Sequence, residues 1–213
     1  MDNEYISKLY VELVDRIDHV DRAFIVRRHI KLHYAKSMPP ESSNEYLKVR
    51  KEFDEFFSAN EEALLWFITI ELWSRFTASS KRGMSALIYK TDNNQLKSEY
   101  SSFKSTHQEV IEYINTQRLQ YFAHAEKVDW KDFPNIWDAE YENIIGDIKV
   151  LLQNIAMTIN SQRIPNFNQE YAEKQTDKLF DGLLQQLSPE SDIKSIADKF
   201  KSGLDNFKSS RLG

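Results

Sequence analysis

Apolar residues recur at helical spacing along most of this chain. From Tyr5 to about Ala35, Ile6, Leu9, Leu13, Ile17, Val20 and Phe24 follow one another at intervals of three and four. That period puts them on one face of a helix. Ser37-Met38-Pro39-Pro40-Glu41-Ser42-Ser43 is expected to end it, because proline breaks the hydrogen-bond ladder and restricts its predecessor. A second helix is expected from about Asn44 to Phe57, followed by a break at Ser58-Ala59-Asn60. Asn60, with Glu61 and Glu62 behind it, has the form of an N-cap with an acidic first turn. The helix from Glu61 to about Ala78 is apolar on most sides, which suits the middle of a bundle. Glu71 beside Trp73 is the carboxylate that departs from this pattern, placed either to orient Arg118 or His124 across the bundle or to face outward or pair with Arg75.

The central connection, Ser79 to Asn94, contains Gly83 and Asp92-Asn93-Asn94, with a short helix expected over Met84 to Tyr89. A long helix then starts near Gln95 and carries Val110, Ile111 and Ile114 toward Arg118. Lys127 to Asn135 reads as a loop. Beyond it Trp137, Tyr141, Ile144, Ile148, Leu151, Ile155 and Ile159 give the clearest helical period of all. Pro165 marks a boundary. Leu179, Leu183 and Leu187 are expected to line one helix after it, and Ser188-Pro189-Glu190 to open another lined by Ile193, Ile196, Phe200, Leu204 and Phe207. The expected architecture is therefore all-α: an up-and-down helical bundle over residues 1–164, with a C-terminal helical appendage, 165–213, packed on it.

Composition sharpens this reading. Only 5 Gly and 5 Pro in 213 residues leave few turns for a β-fold, and 41% hydrophobic residues are enough for a sizeable core. No cysteine is present, which excludes disulfides, thiolate metal sites and a cysteine nucleophile. The acidic start, Met1-Asp2-Asn3-Glu4, has neither the basic residues nor the apolar run of a signal peptide, so a cytoplasmic location is expected. Ala63 to Trp73 is too short and too often interrupted to span a bilayer. A net charge of -5 excludes a broadly basic nucleic-acid binder but leaves room for a local site.

The candidate chemistry lies in Arg118-Leu119-Gln120-Tyr121-Phe122-Ala123-His124-Ala125-Glu126. The planar donors of an arginine suit a phosphate, and a histidine exchanges protons near neutral pH. Together they suffice for metal-free RNA cleavage. A ribose 2′-hydroxyl attacks the adjacent phosphorus, a base takes its proton, an acid protonates the leaving oxygen, and a cation stabilises the phosphoryl charge. Six residues apart on a straight helix, Arg118 and His124 differ by roughly 120° in azimuth and about 9 Å along the axis. They meet only if the helix breaks, if Arg118 reaches around it, or if a two-fold homodimer brings two copies together. Gln120 and Tyr121 flank His124 at i−4 and i−3, so they either shape the site or pack.

The Arg118-x5-His124 segment, with Ala123 before the histidine and Ala125-Glu126 after it, resembles the R-x(4–6)-H signature of the HEPN superfamily, closest to its abortive-infection-like branch. The helix order from about Asn60 to Asn160 is similar as well. The resemblance implies an all-α dimer with the motif at its interface and metal-independent endoribonuclease activity, without a cofactor. It implies a role as a toxin or phage-defence component, in keeping with a nucleotidyltransferase-type antitoxin as partner. Carried onto this chain, Arg118 would stabilise phosphate and His124 would act as general acid and base, with Gln120, Tyr121, Glu126 and Glu71 near the substrate. Leu119 and Gln120 stand where active members often carry a polar residue and a lysine, and Thr77 and Ala78 stand where an acid commonly ends the apolar helix. The alternative is therefore a HEPN-fold interaction module or dimerisation scaffold without catalysis.

Other features have plainer readings. His29 and His33 have an i, i+4 spacing but no carboxylate completing a metal pattern, and no metal site is expected. Arg27, Arg28, Lys31 and Lys36 form a basic helix face that would contact RNA or simply be solvated. The aromatic cluster Tyr46, Phe53, Phe56, Phe57, Trp66 and Trp73 is expected to be core material.

Overall fold

The structure, a computed structural model, describes residues 3–34, 40–78, 80–123, 138–166 and 168–187. For residues 33–34, 40–45 and 119–123 it describes only the helical backbone. The described residues form helices α1 (Asn3–Tyr34), α2 (Pro40–Glu52), α3 (Asp54–Glu71), α4 (Met84–Thr91), α5 (Asn94–Thr106), α6 (Gln108–Ala123), α7 (Asp138–Thr158) and α8 (Gln169–Gln186). A π-helical turn, Leu72–Thr77, continues α3. No strand occurs among the described residues, so the fold is all-α. None of the described helices is long and apolar enough to cross a membrane.

The chain divides into two compact units, one of residues 1–28 and 60–169 and the other of residues 29–59 and 170 onward. The first holds the main core. The apolar face of α1 delivers Leu13, Ile17 and Val20 into it, and α7 contributes Ile144, Ile148 and Ile155, all essentially inaccessible to water. The same cluster includes Ile68, Leu72 and Phe76 from α3 and its π turn, Leu87 and Ile88 from α4, and Ile114 from α6. Buried hydroxyls are satisfied rather than stranded. Tyr10 donates to the Arg163 carbonyl at 2.6 Å, Tyr100 donates to the Phe76 carbonyl at 3.1 Å, and Tyr141 bonds Thr69 at 3.2 Å. Burial pushes all three phenols up to about 12.

The π turn is defined by its bonding. The Ala78 amide donates five residues back to the Trp73 carbonyl at 2.9 Å. The chain then turns sharply into α4 at Gly83. A Cβ there would lie 2.7 Å from the Arg75 carbonyl oxygen, so the close approach of the two backbone segments requires glycine. Asn93 caps α5, accepting from the Leu96 amide at 3.1 Å. Helix α7 ends at Asn160, in the left-handed region at φ 54°, and the Ser161 amide reaches back to the Ala156 carbonyl at 2.9 Å.

In the second unit, Phe180 of α8 is wholly buried and stacks on Phe57, with ring centroids 4.8 Å apart. Tyr46 completes the cluster at 5.3 Å from Phe180, and its hydroxyl donates to Asp181. Arg50, only 4% exposed, lies over the Phe57 ring and donates to Asp54 and Ser58.

Several boundaries differ from the sequence expectation. Helix α2 begins at Pro40, because proline fits the first helical turn, where no intrahelical N–H bond is required. The break near residue 58 is absent. Asn60 lies inside α3, and the interruption falls at Phe53. The long helix expected from Gln95 to Arg118 is divided at His107 into α5 and α6. On α8 the buried residues are Ala172, Thr176 and Phe180, whereas Leu179 is 43% exposed. Trp137 and the helix expected after Pro189 lie outside the described residues.

Candidate functional site

Arg118 projects from α6, the helix packed against the π turn. Val110, Ile114 and Gln117 hold the buried face of α6 in the first unit, which leaves Arg118 half-buried at its edge. The guanidinium carbon lies 3.8 Å from the centroid of the Trp73 ring. That is a close cation–π contact. It occupies the face of the guanidinium and leaves the N–H donors at its edge. Among the described residues no carboxylate ion-pairs with Arg118, and Glu112 on the same helix accepts instead from Gln108 at 2.9 Å. Trp73 reaches this position from a π turn, a geometry that recurs at functional sites.

Two orphaned polar atoms lie on the same elements. Gln117 is 6% exposed, and its side-chain nitrogen finds no partner among the described residues. Glu71 is ion-paired through Oε1 with Arg16 at 3.6 Å, while its buried Oε2 has no partner among the described residues. Arg75, the expected i+4 partner of Glu71, instead pairs with Glu12 at 3.2 Å.

The remaining expected residues are only partly within view. Gln120 and Tyr121 belong to the backbone of α6, but their side chains are not among those described. His124 and Glu126 lie outside the described residues. The structure thus joins Arg118 to Trp73, a residue not assigned to the site from sequence, and joins Glu71 to Arg16.

The basic face expected on α1 is largely spent on internal pairing. Arg27 donates to Asp138 and Arg28 to Glu142, each at 2.7 Å. Lys31 also has a partner, and Lys36 lies outside the described residues. His29 bonds Asp177 at 2.7 Å within the second unit, and the His33 side chain is not described.

Sequence inspection also missed a carboxylate-oriented histidine. His107 is 6% exposed, and its Nε2 lies 2.7 Å from Asp147, forty residues away on α7. It borders an open groove of about 620 Å³ lined by Glu109, Glu112, Glu140 and Asn143 among others. Three carboxylates without a lining lysine or arginine would repel a phosphodiester, so the anion-binding chemistry belongs with Arg118 and not here. The only hint in sequence was His107 itself.

Comparison of the chain with protein-family models, with curated proteins and with solved structures finds no match in any of the three.

Proposed function

We propose that this chain is a metal-independent endoribonuclease of the HEPN type, with Arg118 as its phosphate-holding cation. The observation that carries the reading is the Arg118–Trp73 contact. An arginine meant to grip a phosphodiester must be held in place without spending its hydrogen bonds. Stacking on an indole does that, since it restrains the side chain through its face while the N–H edge stays available for two phosphate oxygens. In this reading His124 takes the 2′-hydroxyl proton and supplies one to the leaving 5′-oxygen. A second copy of the chain completes the site, because a separation of six residues on a straight helix would hold Arg118 and His124 apart. The products are a 2′,3′-cyclic phosphate and a 5′-hydroxyl. A nucleotidyltransferase-type antitoxin and a toxin or defence role accord with the same resemblance.

The second reading, a HEPN-fold interaction module without catalysis, is favoured by Leu119, which offers no polar group beside Arg118. One experiment separates the two. End-labelled RNAs are incubated with the purified full-length chain in EDTA, and the product termini are analysed. The expected result is cleavage with cyclic phosphate ends, lowered roughly 10²-fold or more in His124→Ala, the usual worth of a positioned acid or base. Arg118→Ala is expected to fall comparably. Intact RNA, or cleavage indifferent to both substitutions, refutes the enzyme and leaves the module.

A further inference from the structure

We propose that a basic surface built on the turn at residues 80–83 and on α4 is the track for the phosphates of a single-stranded RNA. In a chain of net charge -5, the residues between Glu71 and Asp92 include Arg75, Lys81, Arg82 and Lys90 and not one acid. Lys81, Arg82 and Lys90 are exposed, and none ion-pairs with a carboxylate among the described residues. This sets them apart from Arg27 and Arg28 of α1, which are neutralised by Asp138 and Glu142.

The charges stand on a fixed support. The Tyr5 hydroxyl donates to the Lys81 carbonyl at 3.0 Å, and the Lys90 ammonium lies 4.5 Å from the centre of the Tyr5 ring. One aromatic side chain of α1 therefore gathers the turn and the end of α4. On the other side Arg75 donates to the Arg82 carbonyl at 3.3 Å, and Gly83 lets this turn sit directly on the Arg75 backbone. Arg75 is two residues beyond Trp73, so the support of the track is continuous in sequence with the residue that holds Arg118.

Tyr89, beside Lys90, is 64% exposed, and its ring is available to stack on an unpaired base. Exposed cations with an aromatic face are the elements of single-strand recognition. An anionic membrane would also attract the lysines, but the surface lacks the broad apolar face that buries a helix in a bilayer interface. The inference rests on the proposed function for its substrate class and is tested by binding alone, so absence of cleavage does not decide it.

The test uses the full-length chain carrying His124→Ala, so that RNA stays whole, and a fluorescein-labelled single-stranded RNA followed by anisotropy from 50 to 200 mM salt. The triple substitution Lys81→Gln, Arg82→Gln, Lys90→Gln is expected to lower the slope of log affinity against log salt by about 2, since each phosphate contact to a single strand is worth about 0.7. Over the fourfold salt range the parent then loses roughly 15-fold more affinity than the variant. Tyr89→Ala is expected to weaken binding about 5-fold or more at an unchanged slope. A triple variant with the parent's slope overturns the track. Undiminished affinity in Tyr89→Ala overturns single-stranded RNA as its occupant. So does binding to phosphatidylserine–phosphatidylcholine vesicles that the triple substitution abolishes while leaving RNA binding intact.

Discussion

Replacing Trp73 by leucine tests whether the Arg118 contact is energetic or merely adjacent. Leucine keeps an apolar side chain beside Leu72 and Phe76 but removes the π face. Both members of the pair are half-buried, so the contact lies between the exposed and desolvated cases, at about 1 kcal/mol. The leucine substitution also forfeits packing, on the order of 2 kcal/mol, which would obscure so small a term in a single mutant. A double-mutant cycle removes the difficulty. Trp73→Leu and Arg118→Met, which keeps the apolar stem, are made singly and together. Urea unfolding is followed by circular dichroism, because Trp73 is itself a fluorophore. The double mutant should be more stable than the sum of the singles predicts, by about 1 kcal/mol, beyond the ~0.3–0.5 kcal/mol within which independent sites add. Trp73→Phe in the same cycle should show a smaller coupling, since indole is the best cation–π acceptor. Strict additivity would refute the reasoning, and with it the idea that the guanidinium is held by its face.

Two further outcomes are expected. Phe180→Ala should destabilise the second unit by about 3–5 kcal/mol in denaturant unfolding, because a fully buried ring stacked on Phe57 is lost; a cost under about 1 kcal/mol would mean that the cluster does not hold α8 in place. Stability should also decline between pH 10 and about 12, because burial keeps the Tyr141 hydroxyl protonated in the folded chain up to about 12 while the unfolded phenol ionises near 10. Tyr141 contributes its stability below pH 10 and loses about 2–3 kcal/mol of it as the folded value is passed, so Tyr141→Phe should flatten the alkaline limb; an unchanged limb would refute this assignment.

The periodic parts of the fold were legible because burial of a single stripe is a local signal. The residues that spacings of three and four mark on α1 and, from Tyr141 on, on α7 do face the core, joined there by Tyr10, Val14, Ile145 and Leu152, which the stripe did not mark. The discrepancies share a cause, which is tertiary contact overriding local preference. Asn60 has the side chain of a cap, but it lies inside α3, whose ladder runs unbroken from Asp54 to Glu71. On α8 the leucines suggested a face, and the aromatic partner of Phe57 decided another. Near the site, Arg118 was identifiable by type, but Trp73, forty-five residues earlier, was not, since no spacing rule links residues on different helices. The Glu71–Arg16 and His107–Asp147 pairs were hidden for the same reason. The free basic surface near Gly83 was overlooked because counting charges cannot tell paired cations from unpaired ones.

The wide turn at Leu72–Thr77 holds one residue more than an ordinary α turn would. Removing a residue there would let the segment close to α geometry with the flanking backbone kept in register. The change would fall on side chains instead. Trp73 and Phe76 now serve two masters, one facing a guanidinium and the other sealed in the core. Closing the turn alters the angle between them, so a shortened chain would keep its helix while loosening either its interior or its grip on Arg118, whereas a conservative exchange of either side chain leaves that alignment intact.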